Sequence, residues 1–360
     1  MRSVIRISAK FLGWPILLLG ASSGCSGLQT PTVPQNVAYV SNENGGVSVI
    51  DLASLQRIGQ IHVSGNGPRG MALTPDGRYL LTANKETADV SVIDTQASRE
   101  IRRIPIGTNP EFIKLHPAGR WIFTSHEPAS TGGPPEQRSE EEKERVLSGP
   151  PSRIVALDTQ DWAIAKVFRG GVETEGIEFS ADGKRLIVTN EAEDTVAVYD
   201  VQTGELLRTV ETRSYGYRPR GIKVSPDGRT YAVTLEASGT LLLLDEEFNV
   251  FHCISIGSRP YGVSFDRAGR RLFVAAAEAQ VLQVFAADSL EVIAEVPVGR
   301  RCWHFTFTPD DSKILVACGR SNDVHVIDAR TYQLIEVLEG FDLPWGIITY
   351  PRAHGSLDLP

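Results

Sequence analysis

Seven residues at near-regular spacing hold most of the chemistry this chain offers: Arg69, Glu111, Glu175, Arg220, Tyr261, Trp303 and Trp345. Each follows a proline or stands where the other copies carry one, and successive separations are 42, 64, 45, 41, 42 and 42 residues. Two carboxylates can serve as general acid and base when their surroundings drive their proton affinities apart. Here each glutamate has an arginine as its outer neighbour in the series, and a nearby cation favours the ionised carboxylate. Both are therefore expected to be ionised, which suits ligand positioning better than proton donation. Arg69 and Arg220 can bind a carboxylate or phosphate through a planar, bidentate fork. The aromatic members add ring faces and polar handles. Together the seven suit a small planar anionic ligand or a side chain of a protein partner; the bland alternative is a set of ion pairs and aromatic plugs that only seal the fold.

Other chemistries find little support. His126 and His304 lie near members of the series, but no His-x-x-x-His or clustered carboxylate spacing marks a metal site. No Cys-x-x-Cys-His marks covalent haem. No glycine-rich phosphate loop, Ser-His-Asp arrangement or dinucleotide fingerprint stands in a credible context, so the sequence assigns no catalytic residue, metal or cofactor. The formal charge of −8 gives no overall basic footprint for nucleic acid.

The elements that must position the seven are visible as a repeated phrase. "PRGMALTPDGRYLLTAN" starts at Pro68 and "PRGIKVSPDGRTYAVT" at Pro219, with variants at Asn109, Glu173, Arg259 and Arg301. Each copy reads as four short strands, a to d, rich in β-branched residues and bounded by turn residues. Strand a is typified by "MALTP", strand b by "YLLTAN", strand c by "VSVID" and strand d by "REIRRIPIG". Asp-Gly between a and b supplies the positive φ of a tight hairpin. Asp51, Asp94, Asp158, Asp200, Asp245 and Asp328 recur at the end of strand c, as turn chemistry would require. A period near 42 with four strands per unit signals an all-β, seven-bladed β-propeller of four-stranded blades. The first copy, from Val37, begins at strand b. The C-terminal strand is thus expected to close the first blade, leaving no edge at the chain ends. Strand a is innermost, so the seven residues should meet at the mouth of the central channel. The one long interval is an insertion over 127–153, between strands b and c of the third blade, on the same face as the seven. It reads as a lid, a docking element or a solvated loop, with a helical turn over 139–145.

The ends lie outside the repeats. Residues 1–24 combine Arg2, Arg6 and Lys10 with a short apolar run and small residues, the pattern of an export signal peptide. Cys25 follows "ASSG" and resembles a lipoprotein processing site, which implies a periplasmic protein held by a lipid anchor, with the outer membrane favoured. Ordinary cleavage to a soluble periplasmic form is the alternative. Residues 25–36 read as a tether, 37–351 as the propeller and 352–360 as a C-terminal tail. Folding through the turn "PDD" brings Cys302 and Cys318 together, either as a disulfide, which export permits, or as two reduced buried thiols.

The motifs "VAYVSN", "VSVID", "PRGMALTPDGR" and "SNDVHVID" resemble the YVTN family of β-propellers over nearly all of 37–351. Within it, "NPEFIKLHPAGRW", "GRRCWHFTFTPDDSKIL" and "LPWGII" look most like the subgroup associated with pyrroloquinoline-quinone-dependent (PQQ) alcohol catabolism. The resemblance implies an exported, non-catalytic accessory protein near quinoprotein oxidation. Similar propellers imply two alternatives: an enzyme, lactonase-like or using a d1-type haem, or a binder of single-stranded nucleic acid, which the net charge disfavours.

Overall fold

The computed structural model describes residues 32–129, 138–257 and 259–359. The signal peptide, Cys25 and most of the tether lie outside the described residues. Seven four-stranded antiparallel sheets follow one another, each ordered from the innermost strand outward, except that the first takes its innermost strand from the C-terminus. There Pro344–Tyr350 pairs antiparallel with Val37–Asn42, as Ala38 with Thr349 and Tyr39 with Ile348. The seven-bladed fold and its closure therefore stand as the repeat predicts.

Strands a and b are buried almost throughout, because both faces of each sheet pack against neighbouring blades. Ile187, Val196 and Val198 of the fourth blade share one apolar cluster with Ile222, Val233 and Leu242 of the fifth. The outermost strands, such as Leu206–Glu211, are mostly exposed. The repeated aspartates work as turn chemistry. Asp94 accepts from the backbone N–H of Ala97, and Asp328 from that of Thr331. Asp76, Asp182, Asp227 and Asp310 each accept from a hydroxyl two residues earlier and from a backbone N–H two residues later.

Three details differ from the sequence reading. Strand a begins earlier than the apolar run suggests, at the proline, as in Pro68–Leu73 and Pro219–Val224. Each of the seven residues is thus the second residue of its strand. The insertion ends at 152, since Arg153 opens the next strand, and it carries the helix Glu140–Leu147, begun by a Ser139 and Glu142 capping box. Residues 130–137 lie outside the described part. Finally, the tail is no loose end. Ala353, Leu357 and Asp358 are buried, and the tail fills the channel below the mouth. Its Asp358 carbonyl accepts from Lys114 Nζ (2.7 Å) and Lys223 Nζ (2.6 Å), which project inward from the third and fifth blades. Cys302 and Cys318 stand directly opposite each other on paired strands and form a disulfide. No helix among the described residues is long and apolar enough to cross a membrane.

Candidate functional site

All seven residues expected at the channel mouth line one cavity of about 910 Å³. Local structure explains why each copy spells the same phrase. The a–b pairing shifts register beside the proline position in all seven blades, between Pro68 and Met71, between Pro219 and Ile222 and between Pro344 and Ile347 for example. Such a bulge re-aims the intervening side chain. The glycine that follows permits a close approach. A Cβ on Gly221 would sit 2.2 Å from the Tyr261 carbonyl oxygen, and one on Gly176 2.2 Å from that of Arg220. Hydroxyls of the preceding blade then fix the same carbonyls: Thr189 donates to Arg220 O (2.8 Å) and Thr234 to Tyr261 O (2.7 Å). Where the glycine is replaced, Phe112 and His304 pack edge-on at 5.4 Å between ring centroids and both meet Trp345. They form the floor beneath the cavity. His304 hydrogen-bonds Ser356 of the tail (3.0 Å), and burial, followed by the positive charge of Arg220, lowers its pKa to about 3. His126 is buried beside Gly107, and neither histidine lines the cavity.

The seven are a base rather than an exposed platform. Trp345 is 1% exposed and Trp303 7%, so their faces are mostly spent on packing. The walls come from two further positions in each repeat that sequence reading missed. One is the residue two before the base residue. It takes positive φ in every blade, including Asn109 (53°), Glu173 (55°), Arg218 (63°), Arg259 (49°) and Arg301 (56°). Non-glycine residues seldom adopt that region, and such outliers gather at functional sites. The other is the residue after strand b: Glu43, Lys85, Glu127, Glu191, Glu236, Ala277 and Gly319. Its backbone N–H donates to the carbonyl of the positive-φ residue, as Glu191 does to Glu173 O and Glu236 to Arg218 O (2.8 and 2.9 Å). The sequence signal was present as charge recurring at fixed offsets from each base residue.

These positions divide the wall. The third and fourth blades give Glu111, Glu127, Glu173, Glu175 and Glu191; the fifth to seventh give Arg218, Arg220, Arg259 and Arg301. Arg220 reaches Glu191 (2.8 Å), Glu236 (3.1 Å) and Glu175, and stacks over Tyr261 at 4.1 Å. Arg69 pairs with Glu111 and with Glu43 (3.2 Å). From the insertion, Arg138 clasps Glu173 through both terminal nitrogens (2.9 and 2.7 Å). The insertion thus contributes a buried cation to the cavity wall rather than only a surface loop. Arg300 and Arg320 stand exposed at the rim with no carboxylate among the described residues within ion-pair distance.

The two glutamates are shifted in opposite directions. Burial alone would raise Glu111, but Arg69 and then Arg220 outweigh it and hold its pKa at about 2. Burial drives Glu175 well above the usual carboxylate range; Arg220 opposes this, while Glu111 and Glu191 add to it. A carboxyl oxygen of Glu175 lies within 4.8 Å of one of Glu111. The surroundings therefore push two adjacent carboxyls in opposite directions, whereas an arginine beside each would hold both low. The oxygens of Glu111, Glu127 and Glu175 lie within 4.8 Å of one another, and Arg69 and Arg220 already supply positive charge there.

Known proteins resemble this chain in fold and, over part of it, in sequence. The periplasmic gluconolactonase of Pseudomonas aeruginosa superposes with a TM-score of 0.69 at 19% identity, over 86% of this chain and 98% of that one. Hydrazine synthase of Kuenenia stuttgartiensis gives 0.69 at 19% identity, over 83% and 93%. An uncharacterised protein of Lactococcus lactis subsp. cremoris (strain MG1363) is 29% identical over 184 residues, 46% of this chain; the chain spans about half the length of that relative, 50%. Residues 153–248, the outer half of the third blade, the whole fourth and most of the fifth, match the family of seven-bladed β-propeller lactonases.

Proposed function

We propose that this protein is a hydrolase that opens a lactone carrying an anionic substituent. The observation that carries this reading is the Glu111–Glu175 pair, two adjacent buried carboxyls whose proton affinities their surroundings drive apart, within a cavity rimmed by arginines. The lactonase match over 153–248 supports it, as does the likeness to a gluconolactonase. The non-catalytic accessory role beside PQQ-dependent oxidation rests on short motif echoes alone and has less support than catalysis.

The chemistry follows from the charge map. Arg300 and Arg320, free of carboxylates, draw the substituent to the rim by charge-assisted hydrogen bonds. Arg301 projects into the cavity and stabilises negative charge growing on the carbonyl oxygen as water adds, in a site where burial strengthens such interactions. Glu111, ionised, orients that water and accepts its proton. Tyr261, against Arg220 and Arg301, closes one side of the floor. The test is pH-stat titration of acid released from neutral, carboxylated and phosphorylated sugar lactones. Faster release from the anionic lactones is expected. No release above the uncatalysed rate from any of them overturns the proposal.

Export belongs to the same reading, with Cys25 as the lipid-bearing residue. Metabolic labelling with a fatty acid should mark the protein and fail on Cys25→Ala; equal labelling of both removes the anchor.

A further inference from the structure

We infer that Glu127 delivers the proton to the ring oxygen that leaves when the lactone opens. The inference rests on the proposed hydrolysis and assigns the acid in it.

Glu127 stands immediately after strand b of the third blade and lines the cavity, yet it is only 3% exposed. One oxygen, Oε2, accepts from Asn109 Nδ2 at 2.8 Å, which fixes the plane of the carboxyl. The other, Oε1, is buried and has no hydrogen-bond partner. A buried polar atom without a partner costs about 1–3 kcal/mol and calls for a reason. An oxygen that meets its partner only when substrate is bound supplies one. The groups around Glu127 also set its state: Glu111, Glu175, Glu191 and Glu173 all face it. Burial first, and then these four, push its pKa well above the usual range, and no cation ranks among the chief influences. The neighbouring cations are committed elsewhere, Arg138 to Glu173, Arg69 and Arg220 to Glu111 and Glu175. Equivalent positions in other blades lack this isolation: Glu191 and Glu236 pair with Arg218 and Arg220.

The steps balance. The water oxygen bonds to the carbonyl carbon, the carbonyl π pair moves to oxygen, and the water proton passes to Glu111. The tetrahedral intermediate collapses, the bond from carbon to the ring oxygen breaks, and that oxygen takes the proton of Glu127. Glu111 then returns its proton through Glu175 to Glu127, the three carboxyls lying within 4.8 Å of one another. One lactone and one water give one hydroxy acid.

A proton donor matters for a strongly basic leaving alkoxide and little for an acidic phenol. The test therefore pairs an alkyl lactone with a nitrophenyl ester carrying the same anionic group, both assayed on the full-length protein and on Glu127→Gln. Glutamine keeps the shape and can still accept from Asn109. The variant should lose about 10²-fold or more in kcat on the lactone, the scale of general acid catalysis, and stay within a few-fold of wild type on the ester. Glu127→Asp should recover part of the lactone rate. An equal fall on both substrates would mark Glu127 as positioning only, and no fall on either would remove it from the reaction; both overturn the inference while lactone hydrolysis itself stands. A wild type inactive on both substrates overturns the hydrolase reading, and this inference falls with it.

Discussion

The third and fourth blades and the fifth to seventh are built from one repeat, yet they give the mouth opposite character. At the same three positions the fourth blade places Glu175, Glu173 and Glu191, whereas the fifth places Arg220, Arg218 and Glu236. Backbone geometry is the same in both, with a positive φ two residues before the base residue and a glycine after it. The difference therefore lies in side-chain charge alone. A propeller separates the work in this way: repeated hydrogen bonds and close packing hold the ring, and residues at fixed offsets are free to vary. Where the sectors meet, Arg220 touches acidic groups from both. Away from that seam, Glu127 keeps an unpaired oxygen on one side and Arg300 and Arg320 stay free of carboxylates on the other.

The seam should be the costliest place to cut. Arg220→Ala leaves Glu175, Glu191 and Glu236 buried without their shared cation, and breaking a buried pair from one side typically costs about 3–5 kcal/mol. Chemical denaturation should show a loss of that size together with loss of ligand binding. A variant as stable as wild type would mean that the two sectors do not depend on each other. Within the acidic sector, Glu111→Gln removes the ionised member of the pair. Hydrolysis of lactone and nitrophenyl ester alike should fall by about 10²–10⁴-fold, the usual scale of acid–base catalysis, with folding retained. A fall on the lactone only would exchange the roles of Glu111 and Glu127.

Cationic-sector effects should be smaller and confined to binding. Arg320→Ala, at the exposed rim, is expected to raise KM for an anionic lactone about tenfold, close to 1.4 kcal/mol, with kcat held. Unchanged KM would move the anion away from this wall. The smallest effect is thermal. The folded pKa of Glu127 lies above its unfolded value of about 4.3, so the folded chain keeps a proton that the unfolded chain releases. Its contribution is fully present below about pH 4.3 and is lost as pH rises toward the folded pKa. Glu127→Gln has no such loss. The difference in melting temperature, variant minus wild type, should therefore be level below that pH and grow in favour of the variant above it. A difference that stays flat from acid to alkaline pH would show that Glu127 is ionised in the folded chain. Glu111 carries the opposite sign: its stabilisation is present above about pH 4.3 and lost as pH falls toward 2.

The sequence by itself determined the repeat, the number of blades, the closure by the last strand and the base residues of the cavity. Each follows from local rules that a single copy already obeys: β-branched runs, Asp-Gly turns and a period near 42 residues. It did not disclose the walls. Whether Arg218 or Glu173 faces the cavity depends on a positive φ that no residue preference announces, since arginine and glutamate rarely adopt it. Nor did it disclose the tail. Residues 352–359 carry no repeat signal, and their place is fixed by Lys114, Lys223 and Phe305, from three different blades. The Cys302–Cys318 bond was open for a similar reason, because register allows it and only the folded pair decides it. Protonation was furthest from the sequence. An arginine beside each glutamate argued that Glu111 and Glu175 are both ionised. The structure buries five glutamates in one sector, and desolvation together with mutual repulsion raises the pKa of Glu127, Glu175 and Glu191. That balance depends on every charge within reach at once, which only the closed ring brings together.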